Sequence, residues 1–155
     1  MLRVSKLTDY AVVVLTRLSE AGPCDDCSVQ TSPAISALTG VPEPTVAKVL
    51  KALGTSGLVL SQRGARGGYR LSRPLETISV ADVIAAVDGP IALTACVDGG
   101  PGGCDVRGMC AVKGRWDLVN DSIRQALGAI SLADMRDASI PMMFRDPVDA
   151  DRTFA

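Results

Sequence analysis

The chain has 155 residues, enough for one domain or a small domain with an appendage. Hydrophobic residues make up 47% and charged residues 21%, ordinary values for a chain that buries a core, whereas 3% aromatics argue against a stacking platform for single-stranded nucleic acid. Histidine is absent, which removes Ser-His-Asp and Cys-His nucleophile systems and every histidine-ligated metal site. With no phosphate loop or carboxylate pair in their place, the chain reads as a non-enzyme. Its longest apolar run, Tyr10 to Leu15, is far short of the ~20 residues that span a bilayer. Asp9, Arg17 and Glu20 also interrupt any leader, so a cytoplasmic protein with no membrane partner is expected.

The net charge of −1 conceals an asymmetry. Residues 1–80 carry +3 and residues 81–155 carry −4, and from Pro44 to Leu75 six basic residues occur without one acid. These are Lys48, Lys51, Arg63, Arg66, Arg70 and Arg73. Such a strip suits a polyanion, although a solvated basic surface has the same composition.

In chain order, Leu7 to Ser19 reads as a helix with Leu7, Ala11, Val14, Leu15 and Leu18 on one face, broken by Gly22-Pro23. Ser32 as N-cap and Pro33 at the first helical position predict a short second helix to Leu38, closed by Gly40. Pro44 opens a third, to Leu53, with Val46, Val49, Leu50 and Leu53 facing inward. Two short helices across a glycine-bearing turn are a helix-turn-helix pattern. Leu58–Ser61 and Tyr69–Ser72 read as strands, separated by a basic, glycine-rich connection: a wing. Ser79 and Asp82 make a capping-box pair for a fourth helix, with Val80, Val83, Ile84 and Val87 inward. Gly114 to Ile130 predicts a longer helix with Trp116, Val119, Ile123, Leu127 and Ile130 in one stripe. A second copy of the chain is the simplest cover for that stripe, which points to a homodimer.

The fold class is therefore mainly α with a small β-hairpin. A winged helix-turn-helix over residues 1–75 is followed by a cysteine-bearing loop and dimerisation helix over 76–135, then a loosely ordered tail over 136–155. In a helix-turn-helix the second helix enters the major groove of double-stranded DNA. Thr45 and Lys48 are then placed for bases or phosphates, and Lys51 for phosphate. Arg63 and Arg66, with Tyr69 behind them, are placed for wing contacts, where a narrow minor groove attracts arginine.

Five cysteines, an odd number, cannot all pair within one chain, and clustered cysteines in such a setting point to metal or redox chemistry. Cys96, Cys104 and Cys110 are spaced C-x7-C-x5-C in a stretch with five glycines and a proline. Thiolates in so pliant a segment converge once a metal supplies the order. Three cysteines suit an iron–sulfur cluster or a zinc ion, each completed by a fourth ligand, and the residues alone leave both open.

Three motifs occur here in one order: Ser5-Lys6-Leu7-Thr8-Asp9-Tyr10-Ala11, the wing Arg63-Gly-Ala-Arg-Gly-Gly-Tyr69-Arg-Leu71, and the C-x7-C-x5-C loop. Over residues 1–135 the chain resembles the winged-helix iron–sulfur regulators of the IscR, NsrR and RirA type. Gly89-Pro-Ile-Ala-Leu-Thr ahead of Cys96 is most similar to the branch that controls SUF-system cluster assembly. The resemblance implies a homodimeric regulator, usually a repressor, whose DNA affinity depends on a [4Fe–4S] or [2Fe–2S] cluster held by Cys96, Cys104 and Cys110. It also implies that the helix from Gly114 crosses between subunits. An iron-responsive or nitric-oxide-responsive repressor of the same family, or a zinc-stabilised DNA-binding protein, is the alternative.

The fourth ligand departs from one branch and fits another. Where IscR-type proteins carry a histidine, this chain has Lys113, a poor ligand when protonated. Asp9 matches the first-helix aspartate that the NsrR branch supplies from the partner subunit, though an acid there also suits the helix dipole. Cys24 and Cys27 have no counterpart in the family pattern. They read as a redox pair, a source of the fourth ligand, or drift in a variable loop; Asp25 and Asp26 oppose thiolate formation and favour drift.

Overall fold

The computed structural model describes residues 4–20, 29–97, 109–112 and 114–137. Helix α1 (Lys6–Ser19) starts at Ser5, whose hydroxyl accepts from the Thr8 amide, and buries Thr8, Ala11, Val14, Leu15 and Leu18. Helix α2 (Ser32–Thr39) begins one residue before the predicted start. Gln30 is held in an extended bridge to Tyr69, so Thr31 is the first residue free to cap, and its Oγ1 accepts from the Ala34 amide at 3.3 Å. Helix α3 (Glu43–Thr55) buries Val46, Val49, Leu50 and Leu53, the four residues read from its periodicity. It runs two residues beyond Leu53, and its end is tightened by Thr55 and Ser56 hydroxyls donating to the carbonyls of Lys51 and Ala52.

Strands β1 (Val59–Gln62) and β2 (Gly68–Leu71) form an antiparallel hairpin in the register Val59↔Leu71 to Gln62↔Gly68. Each lies one residue from its predicted span. At the start of β1 the cause is visible: the Leu58 amide is still engaged with the Leu53 carbonyl at 2.9 Å. A 3-10 turn at Leu75–Thr77 leads to α4 (Val80–Val87), where the Ser79/Asp82 capping box is complete in both directions. Val83 and Ile84 are buried and Val80 and Val87 pack against the core, as their spacing predicts.

Helix α5 (Arg115–Gly128) is two residues shorter than predicted at its C-terminal end. Ile130 leaves the helix because its carbonyl accepts from the Val80 amide, and the Leu132 amide in turn donates to the Ile78 carbonyl. The tail expected over residues 136–155 lies, beyond Asp137, outside the described residues. Leu132–Asp137 form a short helix, α6, opened by a second capping box in which Ser131 Oγ accepts from the Asp134 amide and Asp134 Oδ2 from the Ser131 amide. Leu132 and Ala133 enter the main core with Leu15, Ile35, Leu50, Leu53 and Val83. One core thus crosses residue 75, and the winged half and the cysteine-bearing half share it.

Candidate DNA interface and cysteine segment

With four apolar residues of α3 committed inward, its outer face carries Ala47, Lys48 and Lys51, exposed, and Thr45, half-buried at the edge. Arg63 and Arg66 are exposed at the wing tip. Among the described residues no carboxylate pairs with Lys48, Lys51, Arg63 or Arg66, whereas Arg73 is engaged with Asp82 at 3.0 Å. Unneutralised cations on a helix and a neighbouring hairpin are what a phosphate backbone attracts.

The glycines of the wing are steric requirements. A Cβ on Gly67 would stand 2.6 Å from the Gln62 carbonyl oxygen, and one on Gly68 would stand 2.6 Å from that of Gln30. Tyr69 exchanges backbone hydrogen bonds with Gln30 at 2.8 and 2.9 Å, and its side chain packs half-buried against the core. It is committed to seating the wing, in contrast to the exposed arginines.

The segment after α4 begins with Asp88, whose carboxylate joins two elements. Its Oδ2 accepts from Thr8 Oγ1 at 2.8 Å and from the Ser5 amide at 3.2 Å. Partial desolvation works against the charged form, but the hydrogen bonds from Ser5 and Thr8 outweigh it and hold Asp88 below the ordinary carboxylate range. Further on, Cys96 is half-buried, its Sγ 3.1 Å from Thr94 Oγ1, and Val97 beside it is buried. Cys110 is also half-buried, and both thiols are free. Cys104, Cys24, Cys27 and Lys113 lie outside the described residues. The donors present fit an iron–sulfur cluster: soft thiols, partly accessible, one with a hydroxyl in reach of its sulfur. Among the described residues of one chain no three thiols or carboxylates gather as a metal site, and that holds for Cys96 and Cys110 as it does for Asp9. It is exposed and lines a groove of about 460 Å³ together with Leu127 of α5.

Along α5 the expected stripe is largely uncovered: Trp116 and Val119 are exposed, and Ile123 and Leu127 half-buried. Leu118, which the stripe did not include, is 75% exposed. One residue that the sequence did not single out is Asn120, buried and bonded to the backbone of Ile91 and Leu93. A polar residue in mid-helix gives no such signal until its partners are known.

Comparison with known proteins places this arrangement. The HTH-type transcriptional regulator Rv1287 of Mycobacterium tuberculosis is 33% identical over 141 residues, covering 90% of this chain and 84% of its own. The HTH-type transcriptional regulator IscR of Escherichia coli is 31% identical over 137 residues, covering 86% and 80%. The solved structure of T. potens IscR superposes with a TM-score of 0.57 at 28% identity, covering 93% of this chain and 97% of that one. Residues 4–138 match the profile of the Rrf2 family, described as an iron-dependent transcriptional regulator. The helix-turn-helix, the wing and the relatives agree, and the chain belongs to the Rrf2 family of winged-helix transcriptional regulators.

Proposed function

We propose that this regulator is a cytoplasmic homodimer that represses iron–sulfur cluster assembly (suf) genes from a double-stranded DNA operator, with affinity set by an iron–sulfur cluster on Cys96, Cys104 and Cys110. The observation that carries the reading is the position of the cysteines. Cys96 and Cys110 are free, half-buried thiols in the stretch between α4, which packs on the DNA-reading core, and α5, whose apolar residues are exposed.

In this reading Thr45, Lys48 and Lys51 of α3 contact the major groove and its phosphates, and Arg63 and Arg66 reach the backbone or minor groove from a wing seated by Tyr69. Trp116, Val119, Ile123 and Leu127 of α5 pack against the second copy. Asp9 of the partner subunit completes the ligand set, because Lys113 stands where IscR-type proteins carry a histidine. When bound, the cluster makes the thiolates' environment responsive to iron, oxygen or nitric oxide. The protein's own part is to hold the thiols beside α5, so that order in residues 96–110 bears on the spacing of the two α3 helices. A coupling of about 1–3 kcal/mol changes operator affinity about 5–150-fold.

The test is anaerobic purification, with a visible spectrum and iron and sulfide assays, followed by operator affinity with and without the cluster. A brown dimer whose affinity differs between the two states supports the reading. Equal affinities remove the sensing, a colourless protein with stoichiometric zinc makes the metal structural, and a cluster without sequence-specific DNA binding makes the protein an electron carrier.

A further inference from the structure

Asn120 is 2% exposed and is the buried residue of α5, with Leu118, Val119, Asp121 and Ser122 around it all exposed. A buried carboxamide needs partners for both its ends. Asn120 Oδ1 accepts from the Leu93 amide at 3.1 Å, and Nδ2 donates to the Ile91 carbonyl at 3.1 Å. Both partners are main-chain groups of one short stretch, so the side chain grips that stretch as a neighbouring strand would. Among the described residues, the hydrogen bonds that leave residues 89–96 for another element are these two. Leu93 is followed by Thr94, whose hydroxyl lies 3.1 Å from Cys96 Sγ. The path from the Cys96 sulfur to α5 therefore runs through one hydroxyl, one stretch of backbone and one carboxamide.

We infer that Asn120 is a positioning residue that fixes Cys96 relative to α5 and passes the state of the cysteine segment to that helix. The first half stands on the geometry alone; the second rests on the cluster-dependent reading above. Leu118 and Val119 beside Asn120 stay exposed, because the one fully buried side chain of α5 is polar and is turned onto backbone.

The experiment compares Asn120→Ala, Asn120→Asp and the control Ser122→Ala, whose hydroxyl donates only within α5 to the Leu118 carbonyl. In full-length, cluster-free, reduced protein, alkylation of Cys96 by iodoacetamide and hydrogen exchange at the Leu93 amide are followed by mass spectrometry. Both should accelerate severalfold in Asn120→Ala and be unchanged in Ser122→Ala. Asn120→Asp should fall between, since a carboxylate still accepts from Leu93 but repels the Ile91 carbonyl. Circular dichroism confirms folding, and Asn120→Asp carries the test if the alanine variant does not fold. Operator affinity is then measured for cluster-loaded and cluster-free dimers. The ratio between the two states should shrink by at least about fivefold in the Asn120 variants while cluster-free affinity stays at the wild-type value.

Wild-type alkylation in the variants overturns the anchoring, even if the wild-type protein senses its cluster. An equal fall in both affinities overturns the transmission and leaves a structural role. A wild-type protein with no difference between states, in which Asn120→Ala still exposes Cys96, overturns the transmission together with the sensing reading and keeps the anchor.

Discussion

A methyl group at Gly68 would sit 2.6 Å from the Gln30 carbonyl and 2.7 Å from Val29 Cγ1, so one atom decides whether the wing can lie against residues 29–30. Gly68→Ala should cost about 1–3 kcal/mol through overpacking. That lowers the melting temperature by about 2–4 °C per kcal/mol in a chain of this size, which thermal circular dichroism measures. Asp88 acts at the same scale through charge. Its pKa lies below the ordinary carboxylate value because Ser5 and Thr8 donate to it despite partial desolvation. A carboxyl whose folded pKa is depressed contributes stability above its unfolded pKa and loses it as pH falls through the folded one. Asp88→Asn should therefore lower thermal stability at pH 7 and narrow the gap to wild type as the pH drops below about 4. The basic and cysteine residues were legible in the sequence because their chemistry is written in composition and spacing. Asn120 and Asp88 were not, because what marks them is the backbone they meet, 27 residues away for one and 83 for the other.

Among the elements, those with both a cap and a repeating apolar face were legible almost to the residue. Helix α4 is the clearest, with Ser79/Asp82 followed by Val80, Val83, Ile84 and Val87. The same capping pattern at Ser131/Asp134 gives no comparable signal, because six residues are too few to show a period and Leu132 alone reaches full burial. The start of β1 shifted for a local reason, the Leu58 amide closing the end of α3 on the Leu53 carbonyl, and the end of α5 for a tertiary one, the Ile130 carbonyl being committed to Val80. Helix α6 is thus predicted to matter for stability. Ser131→Ala removes the cap and should cost about 1 kcal/mol. Leu132→Ala empties a fully buried site and should cost about 2–5 kcal/mol. Urea denaturation of the two variants separates these values.

For the whole molecule, the proposed DNA contacts draw their cations from two different elements, α3 and the wing. Each phosphate deprived of its cation should flatten the dependence of log affinity on log salt by about 0.9, hence by about twice that for a dimer. Lys51→Ala and Arg63→Ala should each do so while weakening all sequences alike, as fluorescence anisotropy over a salt series would read; a change at one base position instead would place that side chain against a base. The overall arrangement also has a mechanical side. The start of α4 and the end of α5 meet at one spot, where Val80 pairs with Ile130 and Leu132 with Ile78. Helix α5 is held at two places, by the Val80–Ile130 pairing just past its C-terminal end and by Asn120 in its middle, so its free arm is the turn from Arg115 to Val119. The five residues ahead of Asn120 make an arm of about 7.5 Å at 1.5 Å per residue. A swing of about 10° about Asn120 carries the far end about 1.3 Å over an arm of that length. A displacement no larger than a bond around Cys110 is thus taken up by that free turn, while the clamp at Asn120 and the pairing at Ile130 hold the rest of the helix to the core.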